Sequence, residues 1–345
     1  MRVLVAMSGG VDSSVAALLL QRQGHEVIGV FMKNGVKSHG TQAKSCCSAS
    51  DARDAGLVAD RLGMPFYSVD YEVEFAGLMD WFADEYRAGR TPNPCVLCNQ
   101  ELKFGHLFRL ADDVGAVAVA TGHYARVEDG ALRTARDADK DQTYYLFGIE
   151  RAALGRALFP LGGLTKAEVR ELAAEAGFTT ARKAESMDIC FVTSGDYRDV
   201  VSARGGKGRP GRFVAEDGRE LGRHDGVDAF TVGQRRGLPA LGVPFYVKRI
   251  DAATGEVLLV ERDALGATVA SVSGVNWLVD APLPDVSLAA RVKVRARHQS
   301  VPATLHVVAG GAVRIEFAAP VEAVSPGQAA VFYRDDQVLG GGFLN

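Results

Sequence analysis

The sequence has little cysteine, no long apolar stretch and no strong excess of charge of one sign. Five of its 345 residues are cysteine, and the formal net charge is −3. The N-terminal run MRVLVAMSGG has one arginine and a short apolar run, too short for the core of a signal peptide. No apolar run approaches the roughly 20 residues of a membrane-spanning helix. These absences predict a cytoplasmic protein with no membrane partner and mostly reduced cysteines.

The few cysteines are placed unevenly. Cys95 and Cys98 form one C-x-x-C within PNPCVLCN, and no second C-x-x-C follows. A structural zinc site would need four ligands, and a thioredoxin-like centre would need a different neighbourhood, so both remain minor alternatives. The adjacent Cys46 and Cys47 lie in AKSCCSASD, a predicted loop before a helix, and we assign them no chemical role.

Charge is also distributed unevenly. Residues 198–249 contain 11 Lys and Arg against 6 Asp and Glu, so this stretch carries +5 and the rest of the chain −8. A basic region on an acidic chain is compatible with a polyanion bound at one place. A solvated surface explains the same charge without a partner.

Hydrophobic periodicity divides the chain into three parts. In the first 125 residues, short apolar strands such as VLVAM and EVIGVFM alternate with helical patterns, which predicts an α/β domain with a parallel sheet covered on both faces. From about residue 196 the chain is rich in glycine and arginine, and after about 266 it reads as short strands and turns. We therefore predict an N-terminal domain at 1–195, a small central domain at 196–265 and a C-terminal β-barrel at 266–345.

A candidate anion site follows the first predicted strand. In AMSGGVDSS, Gly9 and Gly10 allow the backbone to approach a ligand closely, and the amide groups at the start of the next helix face it. Asp12 is unexpected beside a phosphate unless it holds Mg²⁺ or caps the helix. The loop lacks the lysine and spacing of a Walker loop; S-G-G-x-D-S instead resembles the loop of enzymes that cleave ATP between its α and β phosphates.

With this loop, the whole chain resembles the bacterial tRNA-specific 2-thiouridylase family (MnmA). The matching segments occur in order from end to end: MSGGVDSS, GRTPNPCVLCNQELKFG, ATGHYAR, KDQTYYLFG, LFPLGGLTKAEVR, DICFV, FTVGQRRGL, PVEAVSPGQAAVFY and LGGGFL. The resemblance implies an ATP-binding catalytic domain, a small central domain and a tRNA-binding β-barrel. It also implies ATP with Mg²⁺ as cofactor, and as partners wobble-uridine tRNAs, such as those for Lys, Glu and Gln, and a cysteine desulfurase or sulfur-carrier protein.

The resemblance assigns roles to individual positions. The ATP-binding positions are Ala6, Met7, Ser8, Gly9, Gly10, Val11, Asp12, Ser13, Met32 and Gly122. The target-base positions are Asn93, Pro94 and Cys95. The tRNA-contacting positions are His123, Lys140, Asp141, Gln142, Arg295 and Gln328. Cys98 matches the catalytic cysteine and Cys190 the persulfide carrier, and we add Asp12 of the phosphate loop to the catalytic set.

One departure from the family leaves two sulfur mechanisms open. Many members have Asp where this chain has Cys95, so no acid–base role can be carried over to that position. In the first mechanism, Cys190 carries a persulfide and Cys98 assists its release, and the pair ends as a disulfide bond. In the second, Cys95, Cys98 and Cys190 ligate a [4Fe–4S] cluster whose fourth iron binds sulfide. Cys98 is predicted to precede a helix that begins near Asn99, which would favour its thiolate.

A basic stripe provides a second tRNA signal. In RVKVRARH, Arg291, Lys293, Arg295 and Arg297 alternate with apolar residues, so a strand would place four cations on one face about 6.6 Å apart. A polyphosphate backbone would compensate their repulsion. We therefore predict that Arg295 and Arg297 bind tRNA, with a solvated barrel strand as the alternative.

Two other functions stay open on the sequence alone. A different AMP-forming ligase would share the phosphate loop, but it would have no use for Cys98 and Cys190. A non-catalytic tRNA-binding protein could keep the nucleotide domain as a structural element. Conversion of uridine to 2-thiouridine in the presence of ATP and a sulfur source separates these alternatives.

Overall fold

The computed structural model describes residues 1–36, 48–184, 189–193, 195–206, 208–284 and 286–345. Cys46 and Cys47 lie outside the described residues. The chain forms two compact units. The first contains residues 1–78, 95–195 and 336–338, and the second contains residues 79–94, 196–335 and 339–345.

A five-stranded parallel sheet is the centre of the first unit. The strands of this unit are β1 (Arg2–Ala6), β2 (Glu26–Lys33), β3 (Phe66–Asp70), β4 (Ala118–Ala120), β5 (Arg126–Glu128), β6 (Ala131–Arg133) and β7 (Ala157–Leu158). The order in the sheet is β3-β2-β1-β4-β7, and β5 and β6 form an antiparallel pair outside this sheet. Val3, Leu4 and Val5 of β1 are completely buried, as expected for a strand that is covered on both faces. The predicted α/β fold is confirmed.

Helices follow the strands of this sheet. They are α1 (Val11–Arg22), α2 (Ala49–Leu62), α3 (Glu72–Arg87), α4 (Pro94–Leu97), α5 (Leu107–Asp113) and α6 (Lys166–Glu175). Both α2 and α6 begin with a capping box, formed by Ser48 with Asp51 and by Thr165 with Glu168. The sequence TKAEVRELAAEAG at residues 165–177, with a threonine at its start and a glycine at its end, predicts a capped helix, and α6 agrees with this prediction. No helix of the described residues is both long and apolar enough to cross a membrane.

One helical stretch differs from its prediction. It begins at Pro94 rather than near Asn99 and runs through α4, a π-helix over Cys98–His106 and then α5. Proline is favoured at the first helical position because it has no amide hydrogen to leave unpaired. Cys95 therefore lies in the first turn, and Cys98 begins the π-helical part, so the predicted place of Cys98 before a helix N-terminus is wrong.

The second unit contains a small mixed sheet and a barrel. Helix α7 (Tyr197–Ala203) precedes the small sheet of β8 (Gly211–Val214), β9 (Glu220–His224), β10 (Tyr246–Asp251) and β11 (Glu256–Val260). The barrel strands are β12 (Ala267–Trp277), β13 (Ser287–Lys293), β14 (Val301–Val307), β15 (Val313–Val321), β16 (Ala329–Arg334) and β17 (Gln337–Leu344). Pairing of β12 with both β15 and β17 closes these six strands, which confirms the predicted barrel. The domain boundaries at 195 and 265 remain a prediction.

Candidate active site

The loop after β1 has the geometry of an anion site. Gly9 has a φ of +69°, in the left-handed region, and a Cβ there would lie 2.2 Å from the carbonyl oxygen of Asp51. Only glycine fits this position without moving the start of α2. Gly10 has extended dihedral angles and is the N-cap of α1, with no side-chain cap. The first amide groups of α1 thus lack a side-chain cap, which is the arrangement that binds phosphate.

Serine hydroxyl groups hold the loop in this shape. The backbone amide of Ser8 donates to the Oγ of Ser13 at 3.1 Å, and the two hydroxyl oxygens are 3.3 Å apart. The hydroxyl groups of Ser13 and Ser14 both donate to the carbonyl oxygen of Gly10, at 3.2 and 2.8 Å. These bonds preorganise the turn, so little conformational entropy is lost when it binds an anion.

The loop lies where the strand order of the sheet reverses. Strands β2 and β4 flank β1 on opposite sides, and ligands of doubly wound sheets bind at the carboxyl ends of strands at such a switch point. Gly122 follows β4, and a Cβ on it would lie 2.7 Å from the backbone nitrogen of Ser13. Met32 is near the end of β2 and is 8% exposed. The structure thus brings Gly122 against the phosphate loop, and Met32 lies on the adjacent strand of the same sheet.

Asp12 forms an ion pair that the sequence analysis missed. The ammonium group of Lys166 donates to both carboxylate oxygens of Asp12, at 2.7 and 2.8 Å. The hydroxyl group of Tyr124 also donates to Asp12, at 2.9 Å. Asp12 therefore does not cap α1, and that alternative is wrong. The phosphate loop has no lysine of its own, and Lys166 supplies a cation from 154 residues away.

The position of Lys166 in its helix could have revealed this role. It is the first residue of α6, and its backbone amide donates to a carboxylate oxygen of Asp137 at 2.9 Å. Cations are unfavourable at a helix N-terminus because they meet the positive end of the helix dipole. Its side chain is only 12% exposed. A nearly buried lysine at an unfavourable helix position indicates that a specific anion compensates it.

The three cysteines of the predicted sulfur chemistry are all described. Cys95, Cys98 and Cys190 are each half-buried, and none of them forms a disulfide. Cys190 lies in a turn in which the amide of Val192 donates to the carbonyl oxygen of Ile189 at 2.9 Å. Within the described part of the chain, no three Cys, His, Asp or Glu side chains are grouped so that they could hold a metal ion. The structure therefore does not gather these cysteines into a cluster site.

Comparison with known proteins gives matches over nearly the whole chain. A family model described as the tRNA methyl transferase HUP domain matches residues 1–194. A tRNA methyl transferase PRC-barrel domain matches residues 198–261, and an aminomethyltransferase beta-barrel domain matches residues 268–344. The tRNA-specific 2-thiouridylase MnmA of Geobacter metallireducens is 46% identical over 100% of this chain and 96% of the relative. That of Maricaulis maris is 48% identical over 99% of this chain and 87% of the relative.

The chain belongs to the tRNA-specific 2-thiouridylase family. Among solved structures, a 4-thiouridine synthetase–RNA complex with bound ATP aligns with a TM-score of 0.37 and 16% identity. The alignment covers 59% of this chain and 51% of the synthetase chain. This likeness is too distant to bear on function.

Several positions that the family resemblance assigns to tRNA have internal partners. Asp141 accepts hydrogen bonds from the amide of Ala135 at 3.1 Å and from the hydroxyl group of Thr143 at 2.8 Å. The side-chain oxygen of Gln142 accepts from the amide of Tyr124 at 2.9 Å. These two side chains hold the loop after β6 in place. They therefore have a structural role in this loop besides the tRNA contact that the resemblance predicts for them. Lys140 is half-buried in the same loop.

His123 is a neutral group in an aromatic environment. Burial lowers the pKa of His123 well below its usual range, and the nearby charge of Lys103 lowers it further. Its ring lies 6.4 Å from that of Phe104 and 6.3 Å from that of Phe159, measured between centroids. Its Nδ1 is 2.7 Å from the hydroxyl oxygen of Thr121. An uncharged imidazole can contact a base or ribose, but it cannot act as a phosphate-binding cation at neutral pH.

A turn of the barrel holds the segment that leads to Asn93. The side-chain amide of Gln328 donates to the carbonyl oxygens of Thr91 and Pro92, at 2.8 and 3.3 Å. The amide of Thr91 in turn donates to the carbonyl oxygen of Pro326 at 2.7 Å. Asn93 itself is 7% exposed. All of these residues belong to the second unit, and the barrel turn thus fixes the position of the segment that leads to Asn93.

The predicted basic stripe is only partly correct. Strand β13 ends at Lys293, so Arg295 and Arg297 follow the strand instead of continuing its alternation. Arg295 turns inward, and its guanidinium donates to the carbonyl oxygen of Val232 at 2.7 Å and to the hydroxyl oxygen of Ser325 at 2.6 Å. Arg297 is exposed. The alternation of basic and apolar residues did not predict this direction of the Arg295 side chain. The guanidinium turns inward because buried oxygen acceptors bind it there.

Proposed function

We propose that this protein catalyses the ATP-dependent 2-thiolation of the wobble uridine in tRNA. The observation that carries the proposal is the match to tRNA-specific 2-thiouridylases over nearly the whole length of both chains. The preorganised loop at the switch point of the sheet supports it, because such a loop binds the phosphates of ATP.

The reaction begins with activation of a poor leaving group. The C2 oxygen of uridine attacks the α-phosphate of ATP, the bond to the β-phosphate breaks, and pyrophosphate leaves. Amide groups of the loop and the ammonium group of Lys166 stabilise the charge that develops on the phosphates. Asp12 holds Lys166 in place, and it would be the loop's carboxylate ligand for the Mg²⁺ that accompanies ATP, since Mg²⁺ commonly binds through one or two carboxylates and substrate phosphates.

Sulfur transfer completes the exchange. The terminal sulfur of a persulfide on Cys190 attacks C2, and AMP departs with the original oxygen. The thiolate of Cys98 then attacks the Sγ of Cys190, which releases 2-thiouridine and leaves a disulfide between the two cysteines. A reductant restores both thiols. A cysteine desulfurase or a sulfur-carrier protein supplies the persulfide, and tRNAs for Lys, Glu and Gln are the substrates.

The alternative cluster mechanism has less support. Three thiolates would have to converge on one [4Fe–4S] cluster. The described residues contain no group of three such ligands, so Cys95, Cys98 and Cys190 do not fit that cluster in this structure. Cys95 is instead proposed to line the pocket of the target base.

Product analysis tests the proposal. Purified protein, unmodified tRNA, ATP with Mg²⁺, and a cysteine desulfurase with cysteine should yield 2-thiouridine at the wobble position, measured by mass spectrometry of nuclease digests. Tight tRNA binding without 2-thiouridine would instead favour the non-catalytic binding protein. Formation of AMP with another acceptor would favour a different ligase.

The barrel turn provides a second test. Gly327 has a φ of +86°, and a Cβ there would lie 3.1 Å from the amide nitrogen of Thr91 and from the Cβ of Arg90. The Gly327→Ala variant is expected to lose about 10- to 100-fold in thiolation, because displacement of the segment before Asn93 misplaces the base. The turnover number and KM for tRNA should be measured.

A matched control separates backbone strain from displacement of this segment. Gly310 has a similar φ of +83°, but no atom lies within 4 Å of a Cβ placed there. Gly310→Ala should lose stability to a similar degree and retain thiolation. Equal activity losses in both variants would mean that Gly327 matters only for barrel stability.

Salt dependence distinguishes the two arginines after β13. Arg297→Ala should weaken tRNA binding and lower the slope of log K against log[salt] by roughly one unit or less, as expected for one lost phosphate contact. Arg295→Ala should mainly lower stability, by about 1–3 kcal/mol, because it removes a donor from buried acceptors. Exposed Arg22 at the end of α1 is the control. An unchanged slope for Arg297→Ala would assign this residue to a solvated surface.

A further inference from the structure

A buried threonine in the turn after β4 contacts a predicted tRNA-binding residue. Thr121 follows β4 directly and is 3% exposed. Its backbone amide donates to the carbonyl oxygen of Leu158 in β7 at 3.1 Å, so the sheet fixes its position. Its hydroxyl oxygen lies 2.7 Å from the Nδ1 of His123. A hydrogen bond thus joins a buried hydroxyl group to the imidazole of His123.

We propose that Thr121 is a positioning residue that selects the tautomer of His123, so that the imidazole offers its Nε2–H group to an uncharged oxygen atom of the tRNA. This inference rests on the proposed function, because that function makes tRNA the ligand of this site. The sequence resemblance assigns no role to Thr121, and the mechanism above uses neither residue.

The partners of the Thr121 hydroxyl group determine the direction of this hydrogen bond. The backbone amide of His123, 3.5 Å from the hydroxyl oxygen, can only donate. Within the described part of the chain, Nδ1 is the one acceptor for the hydroxyl hydrogen. If Nδ1 carried a proton and donated it, the hydroxyl hydrogen would be buried without an acceptor, which is unfavourable. The hydroxyl group therefore donates to Nδ1, and the proton of a neutral imidazole is then on Nε2.

The surroundings of His123 keep the ring neutral, which is the condition for selecting a tautomer. Burial lowers the pKa of His123 well below its usual range, and the charge of Lys103 lowers it further. The neighbouring rings of Phe104 and Phe159 offer no carboxylate or carbonyl oxygen to an imidazolium. A protonated ring would donate from both nitrogens, whereas the neutral ring donates only from the nitrogen that Thr121 leaves protonated.

The Nε2 side of the ring is available to a ligand near the phosphate loop. The ring is partly exposed, and no described residue forms a hydrogen bond with its Nε2. The preceding Gly122 packs against α1, because a Cβ on it would lie 2.7 Å from the backbone nitrogen of Ser13. On the other side, Phe104 belongs to the π-helix that begins at Cys98, and its ring lies 6.4 Å from that of His123. The donor is thus close to the elements that carry both steps of the proposed reaction on tRNA.

Nitrogen NMR measures the tautomer directly. Full-length protein is labelled with ¹⁵N in its histidines, and the His123 signals are identified by their loss in His123→Gln. Wild type should show an unprotonated Nδ1 and a protonated Nε2 at neutral pH. In Thr121→Val, which keeps the shape but lacks the hydroxyl group, the two nitrogen shifts should move towards each other as both tautomers become populated. Thr121→Ser restores the hydroxyl group and should restore the wild-type pattern. A protonated Nδ1 in wild type, or an unchanged pattern in Thr121→Val, would overturn the inference.

Binding measurements test whether the Nε2–H group contacts tRNA. Thr121→Val should raise the Kd for unmodified tRNA by about three- to tenfold, the effect of one lost hydrogen bond between neutral groups. The factor should be the same at every salt concentration, because a neutral donor releases no counterion from the tRNA. Thr121→Ser should recover the wild-type Kd. Wild-type affinity in Thr121→Val, or a changed slope of log K against log[salt], would overturn the proposed contact.

Two substitutions of the histidine keep the inference testable if Thr121→Val does not fold. The side-chain amide nitrogen of His123→Gln can take the place of Nε2, whereas that of His123→Asn corresponds to Nδ1. His123→Gln should therefore bind tRNA more tightly than His123→Asn, and the reverse order or equal affinities would contradict the inference. Failure of the proposed function would appear separately, as wild-type protein that has the expected tautomer and binds tRNA yet makes no 2-thiouridine.

Discussion

The Asp12→Ala variant is expected to lose 2-thiouridine formation by about 10²- to 10³-fold, as is typical when a group that stabilises transition-state charge is removed. Its carboxylate holds the ammonium group of Lys166 at 2.7 and 2.8 Å beside the phosphate loop. Without Asp12, Lys166 loses its positioning partner, and the site loses the carboxylate that would hold Mg²⁺. The first chemical step should fail, so AMP and pyrophosphate formation with tRNA should fall in parallel with thiolation.

A graded set of variants tests the reason for this loss. Lys166→Met should resemble Asp12→Ala, and the double variant should be little worse than either single variant, because the two side chains act as a unit. Tyr124→Phe is the matched control, since it removes one hydrogen bond to Asp12 and keeps the ion pair. The loss of 2-thiouridine formation in Tyr124→Phe should be much smaller than in Asp12→Ala. Normal product formation by a folded Asp12→Ala protein would contradict the phosphate-loop account.

Replacement of Cys98 or Cys190 by Ser should also abolish thiolation, but at a later step. Serine cannot carry a persulfide or form the disulfide, while the phosphate loop remains intact. Rapid-quench measurements should therefore show AMP-activated tRNA or its hydrolysis products in both variants, unlike in Asp12→Ala. The separation of the two steps is the expected signature of adenylation before sulfur transfer.

Cys95 is the position where the two sulfur mechanisms give different results. In the persulfide mechanism, Cys95→Ser keeps most of the activity, because this side chain only lines the base pocket. Anaerobic incubation with iron and sulfide, followed by visible absorption spectroscopy, checks the alternative. A cluster that forms, supports thiolation and is lost in Cys95→Ser would contradict the persulfide account.

Local sequence patterns predicted the main features of this fold. The buried strand β1, the glycine turn and α1 follow from apolar runs and glycine placement, and α6 follows from its capping box. Each of these signals lies within a few neighbouring residues. The family was indicated by the order of nine short motifs along the whole chain. No single motif was sufficient to indicate it.

Contacts between distant parts of the chain were not predictable in this way. The ion pair between Asp12 and Lys166 and the contact of Lys183 with Gly9 span 154 and 174 residues. The predicted strand alternation is wrong at Arg295 because the acceptors at Val232 and Ser325, which are far away in the sequence, determine the direction of its side chain. The start of the helix at Pro94 was missed because the C-x-x-C motif was treated as a loop before the helix, whereas it lies within it.

An isotope-transfer experiment tests the central claim most directly. A tRNA with ¹⁸O at C2 of the wobble uridine is thiolated by the protein with ATP and a sulfur donor, and the AMP is analysed by mass spectrometry. If the C2 oxygen is adenylated before sulfur attacks, one ¹⁸O atom should appear in the phosphate of AMP for each 2-thiouridine formed. Thiolation accompanied by unlabelled AMP, with ¹⁸O released into water, would contradict the account.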